Sequence, residues 1–179
     1  AKTMKRLTLF ICLAFAAVIA SADESQLAAV SSLKVDLDAV TELGVVNAVD
    51  GVSTAGQPDE ASFKVFAEMG YAAVIDLRTP GENRGLDEPA VIDALGMDYI
   101  NLPVGRDGVT YANAKALQDA IASYDAPVLV HCGSANRVGA LFALSEYAKS
   151  KDLEKALEAG RAAGLTGMES TVRKVLTEE

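Results

Sequence analysis

One stretch of the chain decides the fold: Val128-Leu129-Val130-His131-Cys132-Gly133-Ser134-Ala135-Asn136-Arg137-Val138-Gly139. It begins with a continuous apolar run, which is typical of a parallel strand that is covered on both faces. Small residues at positions 133–135 then allow the backbone to turn tightly, and a helix is predicted over residues 137–149. The stretch therefore predicts a buried strand, a short loop and a helix in direct succession.

Strands and helices alternate on both sides of this stretch. The predicted strands before it cover residues 45–49, 52–53, 72–78 and 99–102, and an Asp50-Gly51 turn joins the first two. The other predicted helices cover residues 58–69, 89–95, 111–124, 153–163 and 168–176. This alternation predicts an α/β fold with a central, mainly parallel sheet flanked by helices. Ligands of such folds bind beyond the carboxyl ends of the strands, where three loops qualify: 78–85, 104–109 and 131–138.

The chain is acidic, with 25 Asp and Glu residues against 16 Lys and Arg residues and a formal net charge of −9. A protein that binds a polyanion neutralises phosphates with clustered basic residues. This balance therefore argues against nucleic acid as a partner. Hydrophobic residues make up 50% of the chain and charged residues 23%, which predicts a folded globular domain rather than a disordered chain.

Residues 1–22 carry the pattern of a secretory signal peptide. Met4, the expected start, precedes two basic residues and the apolar run 7–20, which is too short to cross a bilayer as a helix. Ala20-Ser21-Ala22 fits a signal-peptidase site, and a membrane anchor is the alternative interpretation. We therefore predict a bacterial periplasmic or secreted protein with no membrane span after cleavage. A lead-in segment is expected over residues 23–44 and a single folded domain over 45–179.

Cleavage would remove Cys12 and leave Cys132 as the single cysteine. A lone thiol in an oxidising compartment has no intramolecular partner, so Cys132 is either a buried structural thiol or a reactive one. One histidine and one cysteine cannot build a tetrahedral zinc site. The chain also lacks the Gly-rich Lys-Ser/Thr motif of nucleotide-binding loops. Neither a metal nor another cofactor is predicted.

The loop after the strand has the chemistry of an oxyanion site. At the start of a helix, successive backbone N–H groups can point inward and bind oxyanions. The candidate substrate-binding groups are those of Gly133, Ser134, Ala135, Asn136 and Val138. The helix dipole and the Arg137 guanidinium favour the thiolate of Cys132, which suits attack on a phosphoryl group; a buried cysteine on a turn is the alternative. His131 is expected to be structural, with its ring hydrogen-bonded to the loop and helping to hold the thiolate.

This stretch resembles the signature loop of cysteine-dependent protein tyrosine and dual-specificity phosphatases. The resemblance extends upstream through Ser53-Thr54-Ala55-Gly56-Gln57-Pro58, Gly70-Tyr71-Ala72-Ala73-Val74-Ile75-Asp76-Leu77-Arg78, Glu82 and Gly96-Met97-Asp98-Tyr99-Ile100-Asn101-Leu102-Pro103-Val104. That order, over residues 45–150, is similar to the bacterial branch that contains the phosphatase-like domain of beta-lactamase hydrolase-like proteins. The resemblance implies a tyrosine-phosphatase-like fold and, as substrate, a phosphorylated small molecule or a phosphoprotein.

The resemblance also implies roles for individual residues. Cys132 would be the nucleophile and Arg137 the catalytic residue that binds the phosphoryl oxygens. The family uses an aspartate on the loop after the fourth strand to protonate the leaving oxygen, and Asp107 is the candidate. The alternative is a solvated aspartate in a turn, and Arg106 could contribute to substrate binding instead. Glu82 is a supporting candidate that could orient Arg137 through a carboxylate–guanidinium pair, or could be an exposed turn residue.

The loop departs from the phosphatase pattern in two ways. Four residues separate Cys132 from Arg137, where most phosphatases have five. Val138 stands where they have Ser or Thr, whose hydroxyl helps the thiolate to leave; Ser134 could substitute for it. A four-residue gap is also common in single-domain rhodaneses. Two alternatives therefore stay open: a rhodanese-like sulfurtransferase, and a non-catalytic domain that binds phosphate or another anion. The sequence leaves the physiological substrate and the oligomeric state open.

Overall fold

A computed structural model of the chain describes residues 46–49 and 52–178. Within these ranges lie five strands, β1 (Val46–Val49), β2 (Val52–Ala55), β3 (Ala73–Asp76), β4 (Asp98–Asn101) and β5 (Val128–His131). The helices are α1 (Glu60–Glu68), α2 (Glu88–Ala94), α3 (Tyr111–Ala122), α4 (Asn136–Ser150), α5 (Leu153–Ala162) and α6 (Glu169–Thr177). The predicted signal peptide over 1–22, the lead-in segment over 23–44 and the Asp50-Gly51 turn lie outside the described residues.

The five strands form one sheet in the order β1-β2-β5-β3-β4. β1 runs antiparallel to β2, and the other four strands are mutually parallel. This topology confirms the predicted α/β class with a mainly parallel sheet. β5 lies in the middle, where Val130 pairs with Thr54 of β2 on one side and with Ile75 of β3 on the other. The strand that leads to Cys132 is therefore held along both edges.

Alternate side chains of β5 enter different cores on the two faces of the sheet. Leu129 packs with Phe63 and Phe66 of α1 and with Ile92 of α2. Val130 packs on the opposite face, in a larger core built with helices α3 to α6. Both of these residues are fully buried, which explains why residues 128–130 are apolar in succession rather than at alternate positions.

The helix boundaries follow local capping groups. Asp59 caps α1, because its carboxylate accepts a hydrogen bond from the Ser62 backbone N–H at 2.8 Å. Gly70, with φ of 81°, follows the end of that helix. The predicted start at Pro58 was therefore too early, because the helix begins at Glu60, directly after the capping residue Asp59. Among the described residues, no helix combines the length and the apolar character that crossing a membrane requires.

Helix α4 lies against α5 at a contact that requires glycine. A Cβ built on Gly139 would come within 2.6 Å of the Gly160 carbonyl oxygen. Eight consecutive residues of α4, from Val138 to Ser145, are buried. The helix that begins at the end of the cysteine loop is therefore fixed by packing along its length, and its first turn cannot shift independently of the core.

Candidate active site

Cys132 follows the last residue of β5 and is completely buried, whereas its neighbours Gly133 and Ser134 are exposed. Its backbone N–H donates to the Ala55 carbonyl at 3.3 Å. The Gln57 N–H donates to the Gly133 carbonyl at 3.4 Å. The segment that follows β2 therefore runs beside the cysteine loop and limits the paths that its first residues can take.

The start of α4 leaves several hydrogen-bond donors free. Ala135, the residue before the helix, has φ of 61° and provides no side-chain cap. An antiparallel bridge joins Gly56 to Ser134, so the loop backbone is partly paired with the segment that follows β2. Within the described part of the chain, no acceptor pairs with the N–H groups of Gly133 and Ser134. The first N–H groups of any helix also lack partners inside the helix. Donors at the positive end of a helix dipole can bind an oxyanion, so the loop beside Cys132 is the candidate oxyanion cradle.

Arg137 lies in the first turn of α4 with a defined orientation. Its Nη1 and Nη2 donate to the two Glu82 carboxylate oxygens at 2.6 and 2.7 Å, and Nη1 also donates to the Val104 carbonyl at 3.1 Å. A guanidinium has five N–H donors in a planar fork. The Nε–H and the second Nη2–H remain, and these two point from one edge of the group. A Cβ added to Gly133 would meet Nη2 at 3.7 Å, so this nitrogen lies next to the loop.

The structure thus brings Glu82 and Arg137 together and places them in the ion pair that was one of the two sequence-based interpretations. The hydrogen bonds from Arg137 lower the pKa of Glu82 to about 2, against the opposing effect of burial. Glu82 in turn raises the pKa of Arg137, to which the nearby Cys132 also contributes. The pair therefore stays charged at any pH near neutrality, and one edge of the guanidinium is held in place for a second anion.

The expected hydrogen-bond partner of the His131 ring was wrong. The ring does not hydrogen-bond the cysteine loop; its Nε2 lies 2.7 Å from the Glu88 Oε1, and both side chains are completely buried. Its Nδ1 has no hydrogen-bond partner among the described residues. The ring also packs edge-on against Phe63, with the ring centroids 6.0 Å apart. Its ring connects the end of β5 to helix α2, and a structural role for His131 stays a prediction.

A buried charged cluster behind the loop was missed from the sequence. Asp76, at the end of β3, accepts hydrogen bonds from the Arg78 Nε at 3.3 Å and from the Arg84 Nε at 2.7 Å. The Tyr99 hydroxyl donates to the same carboxylate at 2.9 Å. Arg78 also donates to Glu88 at 3.0 Å. Burial by itself raises the pKa of Asp76, but attraction to His131 and these hydrogen bonds outweigh it and lower the pKa.

The same cluster brings together three residue types that bind metals. Ligand atoms of Asp76, Glu88 and His131 lie within 4.8 Å of one another, and all three side chains are buried. The two arginines already supply positive charge to these carboxylates, at 3.0 Å between Arg78 and Glu88 and 2.7 Å between Arg84 and Asp76. We therefore interpret the cluster as an ion-pair network that orders the strand ends.

Two candidate binding residues, Asn136 and Val138, have side chains that are held mainly by contacts outside the loop. Asn136 Oδ1 accepts hydrogen bonds from the Thr166 N–H at 2.8 Å, the Thr166 hydroxyl at 2.9 Å and the Met168 N–H at 3.3 Å. Its side-chain oxygen therefore holds the connection between α5 and α6, while its Nδ2 donates to the Ser134 Oγ of the loop at 3.4 Å. Val138 is completely buried in the core, so it can contribute only a backbone N–H.

Asp107 and Arg106 lie at the tip of a turn whose ends are joined by a hydrogen bond from the Gly108 N–H to the Gly105 carbonyl at 3.1 Å. Both side chains are exposed, and neither forms a hydrogen bond or an ion pair within the described residues. The turn follows Val104, whose carbonyl accepts a hydrogen bond from Arg137. The structure therefore brings the Asp107 loop to the site but does not bring its carboxylate into contact with Cys132 or Arg137.

Two clefts of the described chain lie away from the cysteine loop. One of about 570 Å³ separates α1 from α2 and is lined by residues that include Lys64, Val91 and Leu95. Another, of about 360 Å³, lies between α3 and α4 beside Tyr111 and Leu144. Neither includes a residue of the cysteine loop. Chemistry therefore identifies the site, because among the described residues the loop is where a thiol, free N–H donors and a fixed guanidinium lie together.

Comparison with known proteins places the chain in a family. Residues 45–149 match the family described as "Beta-lactamase hydrolase-like protein, phosphatase-like domain". A beta-lactamase hydrolase-like protein from Xylella fastidiosa is 37% identical over 125 residues, which are 67% of this chain and 29% of that protein. One from Agrobacterium fabrum is 33% identical over 99 residues, which are 53% of this chain and 23% of that protein. The chain thus spans less than a third of the length of these curated relatives.

Solved structures of phosphatases share the fold. A suspected phosphatase from Neisseria meningitidis matches with a TM-score of 0.61 and 18% identity, over 71% of this chain and 92% of that one. P. aeruginosa TpbA, in a cysteine-to-serine variant in complex with phosphotyrosine, matches with a TM-score of 0.57 and 18% identity, over 74% and 88%. These likenesses establish a fold of the protein tyrosine phosphatase type. The match over residues 45–149 shows that the chain belongs to the family of phosphatase-like domains of beta-lactamase hydrolase-like proteins.

Proposed function

We propose that the chain is an exported, cysteine-dependent phosphatase that hydrolyses phosphate monoesters through a cysteinyl-phosphate intermediate. The observation that carries the proposal is the free edge of Arg137, held by Glu82 next to an uncapped helix N-terminus and a buried cysteine. A phosphate monoester dianion offers the oxygens that these donors would bind. The family membership supports the same chemistry. Export is proposed from the N-terminal sequence alone.

In the first step, the Cys132 thiolate attacks phosphorus. A sulfur–phosphorus bond forms while the bond between phosphorus and the ester oxygen breaks. The N–H groups of residues 133–138 and the free edge of Arg137 bind the nonbridging oxygens as charge builds on them. The departing oxygen takes a proton from Asp107, because an alkoxide is otherwise a poor leaving group.

In the second step, water attacks phosphorus and gives a proton to the Asp107 carboxylate. The sulfur–phosphorus bond breaks, so inorganic phosphate leaves and the thiolate is restored. Val138 cannot assist this step, because its side chain is an apolar one buried in the core. The exposed Ser134 carries a hydroxyl within the loop, 3.4 Å from the Asn136 Nδ2, and we assign to it the role of assisting the thiolate as it leaves.

The substrate class remains a phosphorylated small molecule or a phosphoprotein. Tyr99, an aromatic residue near the strand ends, has its hydroxyl committed to Asp76. Exposure of Gly133 and Ser134 leaves the loop open to a protruding phosphate group. A neighbour of the same fold was solved with phosphotyrosine, so an aryl phosphate is the suitable first substrate to assay.

Replacing the nucleophile tests the mechanism directly. We expect Cys132→Ser to abolish hydrolysis of p-nitrophenyl phosphate, because a hydroxyl in place of the thiolate cannot form the intermediate. Acid-quenched wild-type protein should carry phosphate on the peptide that contains Cys132, as detected by mass spectrometry. Hydrolysis that survives in the variant would contradict the proposal. Sulfur transfer from thiosulfate to cyanide without phosphatase activity would instead favour a rhodanese-like enzyme, and anion binding without turnover a non-catalytic domain.

The acid role of Asp107 predicts a dependence on the leaving group. We expect Asp107→Asn to lower kcat by about 100-fold for an alkyl phosphate, whose leaving oxygen needs a proton, and by much less for p-nitrophenyl phosphate. Steady-state kinetics with both esters measures the difference. Asp125→Asn, in another exposed turn, is the control. An equal loss for both esters, or no loss, would exclude the role.

The Glu82–Arg137 pair predicts a pH-dependent stability. The pKa of Glu82 is lowered from 4.5 to about 2, so the pair stabilises the folded protein fully above pH 4.5 and loses this effect as the pH falls toward 2. The difference in unfolding free energy between wild type and Glu82→Gln should shrink over that interval. Urea unfolding at a series of pH values measures it, with Glu60→Gln as the exposed control. A constant difference would refute the assigned interaction.

A further inference from the structure

Glu88 is a buried carboxylate that the proposed chemistry does not use. It is completely buried in the first turn of α2. Its Oε1 lies 2.7 Å from the His131 Nε2, and its Oε2 accepts hydrogen bonds from the Arg78 Nη2 at 3.0 Å and the Gln57 Nε2 at 2.9 Å. Burying a charge is costly unless it is paired and hydrogen-bonded, and Glu88 meets that condition with three partners from three different segments.

These contacts complete a closed ring of residues that includes Cys132. The Gln57 side chain donates to Glu88, and its backbone N–H donates to the Gly133 carbonyl. Glu88 contacts the His131 ring, and the chain runs from His131 through Cys132 to Gly133. Two hydrogen-bonded links thus hold the residue before the cysteine and the residue after it. We call this arrangement the Gln57–Glu88 ring.

The ring constrains the loop backbone, and this backbone sets the direction of the N–H groups in the oxyanion cradle. The N–H groups of Gly133 and Ser134 donate to no acceptor among the described residues, so their direction depends on how the loop backbone is held, in part by the bridge between Gly56 and Ser134. Arg137 is fixed separately, by Glu82. The thiol and the N–H donors must converge on one tetrahedral anion, and a displacement of about 1 Å can reduce a rate by about 100-fold.

We infer that Glu88 and Gln57 are positioning residues, which act through His131 and Gly133 to hold Cys132 and the loop N–H groups in register for an oxyanion. The inference rests on the proposed function for its catalytic consequence. Its binding consequence stands independently, because the same register is needed to bind any tetrahedral oxyanion. Neither residue is assigned a contact with substrate.

Two variants open the ring at different places. Glu88→Gln retains one acceptor oxygen, which cannot serve His131, Arg78 and Gln57 together. Gln57→Leu removes the link to Glu88 without removing a buried charge, so it remains informative if Glu88→Gln fails to fold. Asp93→Asn is the matched control, because Asp93 is an exposed carboxylate on the same helix. The probe is inorganic tungstate, with binding measured by calorimetry and folding by thermal unfolding.

We expect each ring variant to bind tungstate at least about tenfold more weakly than wild type, with Asp93→Asn unchanged. The double variant should bind about as weakly as the weaker single variant, because either change opens the same ring. In turnover, kcat should fall along with the affinity. A purely structural role would lower Tm but leave the tungstate affinity of the folded protein unchanged, and that result would overturn the inference.

The outcomes separate the ring from the proposed function. Wild type that binds tungstate but hydrolyses no phosphate ester, with weaker binding in the variants, would refute the phosphatase reaction and support the ring. Wild type that hydrolyses esters, with variants unchanged in affinity and kcat, would support the reaction and overturn the ring. Wild type that does not bind tungstate would overturn both.

Discussion

Helix α4 begins beside a buried cysteine with no side chain to cap it, and the site is arranged around these unsatisfied donors. Ala135 enters the helix in a left-handed conformation, which few residues other than glycine adopt. The helix is packed against α5 through Gly139, so its first turn stays where the core places it. The first N–H groups of a helix have no partners inside it, and an anion is the partner that both the donors and the dipole favour.

Two groups of charged residues stabilise the structure at this end of the helix, one at Arg137 and one behind the cysteine loop. Glu82 holds one edge of Arg137 and leaves the adjacent edge for a second anion. Behind the loop, the buried cluster of Asp76 and Arg78 continues into Glu88. That cluster joins the ends of β3 and β5 to the start of α2. The local positive charges can therefore favour anion binding at the site, although the net charge of the protein is negative.

Local sequence signals predicted the parts of this architecture that depend on neighbouring residues. The apolar run of β5, the small residues after it and the alternation of elements were sufficient for the sheet class and for the position of Cys132. Polar contacts between residues far apart in the sequence were not predictable in this way, because the residues around one polar side chain do not identify its partner. Glu88 meets His131 across 43 residues and Gln57 across 31, and Asn136 meets Thr166 across 30. Glu82, 55 residues from Arg137, was anticipated only as one of two interpretations.

The central claim is that the α4 N-terminus, Cys132 and the free edge of Arg137 form one oxyanion site. A crystal structure of the protein soaked with tungstate tests it most directly. We expect an anion beside the Cys132 sulfur, bound by the N–H groups of residues 133–138 and by the Arg137 Nε and Nη2, with Glu82 still paired to the other edge. Tungstate bound elsewhere, or an empty loop at saturating tungstate, would show that these groups do not form one site.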